Sequence, residues 1–300
     1  MIEINAVAQS PSNGRSKFLQ RFIRHRLALL GGLVLLVLFV ACFGAPIFAP
    51  FPKNQQDLLL GPLPPSLEHL LGTDDLGRDY FTEILYAGQI SLLLALSVAL
   101  VSTAIGVLVG VLAGYKGGWV DNVFMRITDL FLVVPAIALL ALALQGLGHS
   151  PFSIVVVLSL LGWTYIARVV RGQVLSLRER EFIDAARVIG AKDRHIIWTH
   201  VLPNLGGVIA VNVALAVASA IIVESTLSFL GFGVQPPETS WGNMLSQASG
   251  LIGTSKVYLL YFPGLFILIA VLAVNFVGDG LRDALDPRSG SGNSQGRKHR

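Results

Sequence analysis

Six stretches of the chain are apolar over lengths that suit a lipid bilayer. They are Leu27–Phe48, Ile90–Ala113, Leu130–Leu147, Phe152–Val170, Leu205–Leu230 and Val257–Val277. A spanning helix takes roughly 17–25 such residues. None of the runs contains Lys or Asp, and the charges inside them are Arg168, near an end, and Glu224. Soluble core helices seldom stay apolar for so long. The pattern predicts an all-α, polytopic membrane protein with six transmembrane helices. Between the fourth and fifth runs, at 172–204, the chain turns polar and charged yet keeps helical signals. That polar island is the feature that calls for an explanation.

Composition agrees with the pattern. The 300 residues are 53% hydrophobic and 13% charged, with a mean hydropathy of +0.68. A soluble domain carries about 25% charged residues. The distribution of basic residues then orients the chain. Of the 22 Lys and Arg, 19 fall before the first run, between runs two and three, around the polar island, or after the last run. Lys53, Arg78 and Lys256 fall in the remaining connections. The positive-inside rule therefore expects both termini and the island to be cytoplasmic. The expected organisation is a cytoplasmic segment 1–26, a first span 27–48, an outer loop 49–89, a core 90–287 and a disordered tail 288–300. Met1–Ser16 is also expected to be disordered. "FVAC" at Phe39–Cys42 is a poor cleavage box, because the apolar run continues past the cysteine. Cys42 is the lone cysteine and forms no intrachain disulfide.

Local signals mark several positions. Gly106, Gly110 and Gly114 recur at four-residue spacing, which puts small surfaces on one helix face and lets another backbone approach. Pro135 is expected to bend the third span. "QPPETSWGNML" at Gln235–Leu245 suggests a turn and then a short outer helix. In the island, Ser176 and Glu179 fit a capping box, with Ser176 as the N-cap of a helix through Glu181–Ile189. Gly190 can supply the left-handed turn that ends it. A second short helix is expected through Asp193–Thr199, after which Pro203 resets the chain before span five. Phe182, Ala185, Ala186 and Ile189 share one narrow face. That face suits either a groove on another protein or the chain's own membrane domain.

Candidate chemistry is sparse. None of the six lysines follows Gly, so there is no GK[ST] phosphate-binding element. The histidines scatter, no HExxH occurs, and no GxSxG elbow is present. No metal site is expected, and no enzymatic activity on this chain. Glu224 is the one firm intramembrane acid, with Ser228 on its face at i+4; a buried acid in a span usually faces a cavity or a partner. Asn212 lies off that face. An ion-coupled secondary transporter would need paired intramembrane charges or broken helices in matching halves, and neither is evident. A membrane scaffold without transport is the other competing class.

"DAARVIGAKDRHIIWTHVLPN" at Asp184–Asn204 resembles the EAA loop of ABC importer permeases. That family's pattern is E-A-A, three residues, G, nine residues, I-x-L-P. The chain matches the spacing with Asp184-Ala185-Ala186, Gly190 and His200-Val201-Leu202-Pro203. It departs at Asp184, which keeps the charge, and at His200. "HLLGTDDLGRDYFTEILYAGQISL", "GYKGGWVDNVFMRITDLFLVVP", "ESTLSFLGFGVQPPETSWGNML" and "NFVGDGLRDALDP" are similar to further segments of the C-type permease of oligopeptide and dipeptide importers. The resemblance covers about Arg21–Pro287.

It implies a type I ABC importer permease fold in a bacterial inner membrane. It further implies a B-type permease partner, two cytoplasmic ATPase subunits that bind ATP and Mg, and an external substrate-binding protein. Peptide is the implied substrate, oligopeptide before dipeptide, while nickel, glutathione or heme importers share the scaffold. No cofactor is expected on this chain, and no nucleic acid partner. The implied ATPase-coupling positions are Glu181, Asp184, Ala185, Ala186, Gly190, Ala191, His200, Leu202 and Pro203. Apart from the resemblance, Glu224 and Ser228 are candidate pathway or gate residues by their place in span five, the alternative being an acid satisfied by the partner permease or by interfacial water.

Overall fold

The computed structural model describes residues 22–285, and the segments expected to be disordered at 1–16 and 288–300 lie outside them. The described chain is almost wholly helical and contains no strand. Helix α1, Arg26–Phe43, starts where the His25 ring accepts a hydrogen bond from the Ala28 N–H, and it stops at Gly44. A single turn, α2 (Ala45–Phe48), completes the first span.

Helix α3, Tyr80–Lys116, has 37 residues, ten more at its start than the apolar run predicted. Asp79 caps it by accepting from the Thr82 N–H, and Gly117, at φ +66°, ends it. At 1.5 Å per residue it is about 55 Å long, against a hydrocarbon core of about 30 Å. Its first turns therefore rise into an outer layer. There Tyr80 donates to the Leu259 carbonyl, Tyr258 donates to the Thr73 carbonyl, and Lys53 and Lys256 pair with Glu238 and Asp75.

The third span is not one helix. Helix α4, Gly118–Val133, and helix α5, Ala136–Leu147, meet at 91°. The break falls at Pro135, which lacks an N–H and forces Val134 into extended backbone. Asp121 and Asp129 on α4 form ion pairs with Arg171 and Arg168 on α6 (Pro151–Arg178). The bent pair still carries the chain across. Helix α3 ends beside Arg178, whereas α6 begins near the outer segment, where His149 meets the Phe232 carbonyl.

Helix α6 shows that Ser176 is not an N-cap. It lies inside α6, which continues to Arg178 because Val174 is fully buried and holds that turn in the packing. Helix α7 is Glu181–Val188, α8 is Asp193–Ile196, and α9 is Leu202–Phe229. The expected reset at Pro203 does not occur. A π-turn over Ile197–Val201 joins α8 to α9, and Pro203 sits in the first turn of α9, where a missing N–H costs least. The short outer helix α10 is Trp241–Gln247, capped by Ser240, and α11 is Tyr258–Leu285.

Helices α3 and α6 form the principal pair, with α9 against α3 and α11 against both α1 and α9. The glycine stripe explains the first contact. A Cβ on Gly106 would lie 2.7 Å from Ile166, one on Gly110 2.6 Å from the Ala167 carbonyl oxygen, and one on Gly114 2.9 Å from Val174. Among the described residues four apolar clusters result, two of them large. The larger gathers Tyr80, Ile84, Trp241 and Leu259 at the outer end. The smaller gathers Val111, Tyr115, Val170, Ile183 and Leu205 at the other end, beneath the hairpin. His25 and Asp283 lie 3.4 Å apart, and Leu285 packs at Gly207. The first span's start, the last span's end and the hairpin therefore share one side of the molecule.

Candidate functional site: the α7–α8 hairpin

The hairpin is anchored by its inward residues. Ile183 is fully buried and Ala186 is 6% exposed, both within the core formed by Val111, Val170, Ile196 and Val201. Helix α7 begins at Arg180 with no side-chain cap, and Glu181 and Asp184 in its first turn complement the helix dipole. It ends as the glycine predicted. The Gly190 N–H donates to the Arg187 carbonyl at 2.9 Å, and the Ala191 N–H to the Ala186 carbonyl at 3.0 Å, with Gly190 at φ +83°. That paired bonding is the Schellman motif.

Tyr115, the penultimate residue of α3, joins the hairpin to the spans. Its carbonyl accepts from Arg178 at 3.2 Å, its hydroxyl donates to Asp193 at 3.1 Å, and the Arg187 guanidinium lies 5.7 Å from its ring centre. One residue thus touches the end of α6 and both limbs of the hairpin. Nothing in the sequence alone assigns Tyr115 this role. Its aromatic ring and hydroxyl next to a Gly-Gly break were the available signal. Ile183 was missed too, although it lies three residues before Ala186 on one helix face.

The predicted face is rotated. Ala186 turns into the protein's own core, so the expectation that it meets a partner directly is corrected. The exposed edge is Phe182, Ala185, Val188 and Ile189, with Val188 87% and Ile189 84% exposed. The span ends decide which side of α7 is inward, and they lie on the Ile183 side. Glu181 and Asp184 flank the edge in solvent, Asp184 paired with Arg187 at 3.1 Å. Among the described residues, and apart from its own chain neighbours, nothing lies within 4 Å of the position a Gly190 Cβ would take. His200 lies 6.1 Å, ring to ring, from both Phe182 and His195, bridging the two limbs. Ala191 and Leu202 pack against the inner core, and Pro203 is exposed.

Glu224 and Ser228 belong elsewhere. Glu224 is 1% exposed, and its Oε1 accepts from the Ser228 and Ser240 hydroxyls, each at 2.7 Å. Its Oε2 has no hydrogen-bond partner among the described residues. Ser240 also caps α10. The pair therefore fastens α10 to α9 inside the outer core. In this structure Glu224 and Ser228 are buried and face no open pathway. Asn212 donates to the Val208 carbonyl of its own helix and takes no part in the cluster.

Comparison with known proteins places this arrangement. The family described as binding-protein-dependent transport system inner membrane component matches residues 106–291. The N-terminal TM domain of oligopeptide transport permease C matches residues 15–65. The oligopeptide transport system permease protein OppC of Mycobacterium tuberculosis is 40% identical over 279 residues, covering 92% of this chain and 96% of that protein. The dipeptide transport system permease protein DppC of Bacillus subtilis is 41% identical over 269 residues, covering 90% and 84%. Among solved structures, the MetNI methionine ABC transporter in an inward-facing form aligns with a TM-score of 0.57 at 20% identity. That alignment covers 68% of this chain and 96% of the other, and it shows a shared fold. With its apolar crossings and its hairpin, this chain belongs to the family of binding-protein-dependent transport system inner membrane components, as a multi-pass permease of an ABC importer.

Proposed function

We propose that the chain is one of two permease subunits in a peptide importer, and that the α7–α8 hairpin receives the motion of a cytoplasmic ATPase. The carrying observation is the hairpin's two-sidedness. Ile183, Ala186 and Tyr115 lock it to the span ends, while Phe182, Ala185, Val188 and Ile189 form an exposed apolar edge, on which Phe182 meets the His200 ring from one side. An apolar helix edge of that kind fits a groove on another protein. Ala185 at its centre permits close approach, and Glu181 and Asp184 offer charges for basic residues of the groove. The basic-residue asymmetry supports a cytoplasmic hairpin and cytoplasmic termini. ATP and Mg then reside on the ATPase partners, and an external binding protein delivers substrate to the opposite face.

The names of the relatives support peptide as the substrate. The N-terminal match at residues 15–65 favours oligopeptide over dipeptide. The test is uptake in a strain lacking the chain. Labelled tri- to pentapeptides, dipeptide, nickel and glutathione are supplied in parallel. Restoration of oligopeptide uptake by the chain is expected. Restoration of nickel or glutathione uptake alone would overturn the peptide assignment.

A further inference from the structure

Between α3 and the strip formed by α8, the π-turn and the start of α9 lies a groove of about 680 Å³. That is within the range of ligand pockets. Leu108 and Leu112 line one wall, and Ile197, Trp198 and Leu202 the other. At the hairpin end stand two cations, Lys116 on the last turn of α3 and Arg194 in α8. Both are exposed, and neither forms an ion pair among the described residues. Asp193 lies at the same end, but its carboxylate accepts from the Tyr115 hydroxyl.

Three features converge here: an apolar trough along two spans, two cations at its hairpin end that form no ion pair among the described residues, and an exposed indole on its wall. Trp198 is 64% exposed, and tryptophan favours the membrane–water boundary. A free phosphate would use the cations but not the trough. A neutral lipid would use the trough but not the cations. Basic pockets between spans on the cytoplasmic side hold anionic head groups. The geometry points to a binding site for one anionic phospholipid, with its phosphate between Lys116 and Arg194 and an acyl chain along Leu108 and Trp198. Such a lipid bridges α3 to the second limb of the hairpin, beside the Tyr115–Asp193 hydrogen bond.

The inference rests on the cytoplasmic orientation proposed above, which cysteine labelling at Lys192 checks separately. The experiment uses the assembled complex in membranes. Phosphatidylglycerol and phosphatidylcholine, each with a photoactivatable acyl chain, are supplied at equal mole fraction, and labelled peptides are mapped by mass spectrometry. The anionic probe should label 108–116 and 197–202 at least about fivefold more than the zwitterionic one, since one basic residue near the surface gives about that factor. The double variant Lys116→Gln, Arg194→Gln should remove the preference and leave zwitterionic labelling unchanged. Equal labelling by the two probes in the unaltered protein would overturn the proposal. So would a preference that survives the double variant. Absence of labelling by either probe would mean that protein fills the groove, and would overturn it too.

Discussion

Gly110 meets α6 with no room for a side chain: a Cβ there would sit 2.6 Å from the Ala167 carbonyl oxygen and 2.8 Å from Val170. Gly110→Ala should therefore destabilise the protein by about 1–3 kcal/mol, the range for overpacking. Gly172→Ala, with nothing among the described residues within 4 Å, is the control and should be neutral to slightly stabilising, since alanine favours a helix interior. Fluorescence-monitored size-exclusion after heating distinguishes them. Glu224 gives a second residue-scale outcome. Glu224→Ala leaves the buried Ser228 and Ser240 hydroxyls without their acceptor, at about 1–3 kcal/mol each. Glu224→Gln keeps an oxygen in place and should hold most of that stability. If the two variants melted together, the clamp on α10 would be discounted. The glycine stripe was legible in the sequence because its spacing alone defines a face. The role of Glu224 was not legible, because Ser240 is sixteen residues away and only the fold of the outer segment brings it near.

At the scale of elements, the hairpin was legible in its existence and its turn, but not in its start, its inner face or its exit. Gly190 declares itself because a left-handed position is a local demand. At φ +83° a Cβ costs roughly 1–2 kcal/mol for most residues, whereas Asn tolerates that conformation better. Gly190→Asn should thus retain more peptide uptake than Gly190→Val, although the space around the position is open to both. Equal uptake by the two would show that the turn geometry does not matter. Ser176 misled because a capping box is also local, and the burial of Val174 overrides it. Pro203 misled because the π-turn before it leaves α8 and α9 nearly continuous. Ala186 faces inward because the ends of α3 and α6 lie on that side, a fact of tertiary packing that periodicity does not contain. The bend at Pro135 was legible, though its 91° angle was not.

At the scale of the molecule, the six apolar runs made the helical architecture legible, since each crossing needs only length and hydrophobicity. The structure adds that both ends of the described chain and the hairpin lie together, tied by His25–Asp283 and by Leu285 at Gly207. Orientation is then one choice for the whole protein. In a Cys42→Ala background, Leu67→Cys and Ile252→Cys should react with an impermeant thiol reagent on intact cells. Lys192→Cys, between α7 and α8 and off the apolar edge, should react only after permeabilisation. All three positions are exposed, so accessibility within the protein does not confuse the result. The central claim is that the hairpin's outward edge, rather than its inward face, couples the spans to an ATPase. Its most direct test is peptide-stimulated ATP turnover by the assembled complex in proteoliposomes carrying Val188→Asp and Ile189→Asp. These side chains touch little of their own chain, so the permease should keep its thermal stability. Stimulated turnover and uptake should fall together by at least about tenfold, as expected when a charge is forced into an apolar contact without a partner. Normal turnover and uptake with both aspartates in place would contradict the account.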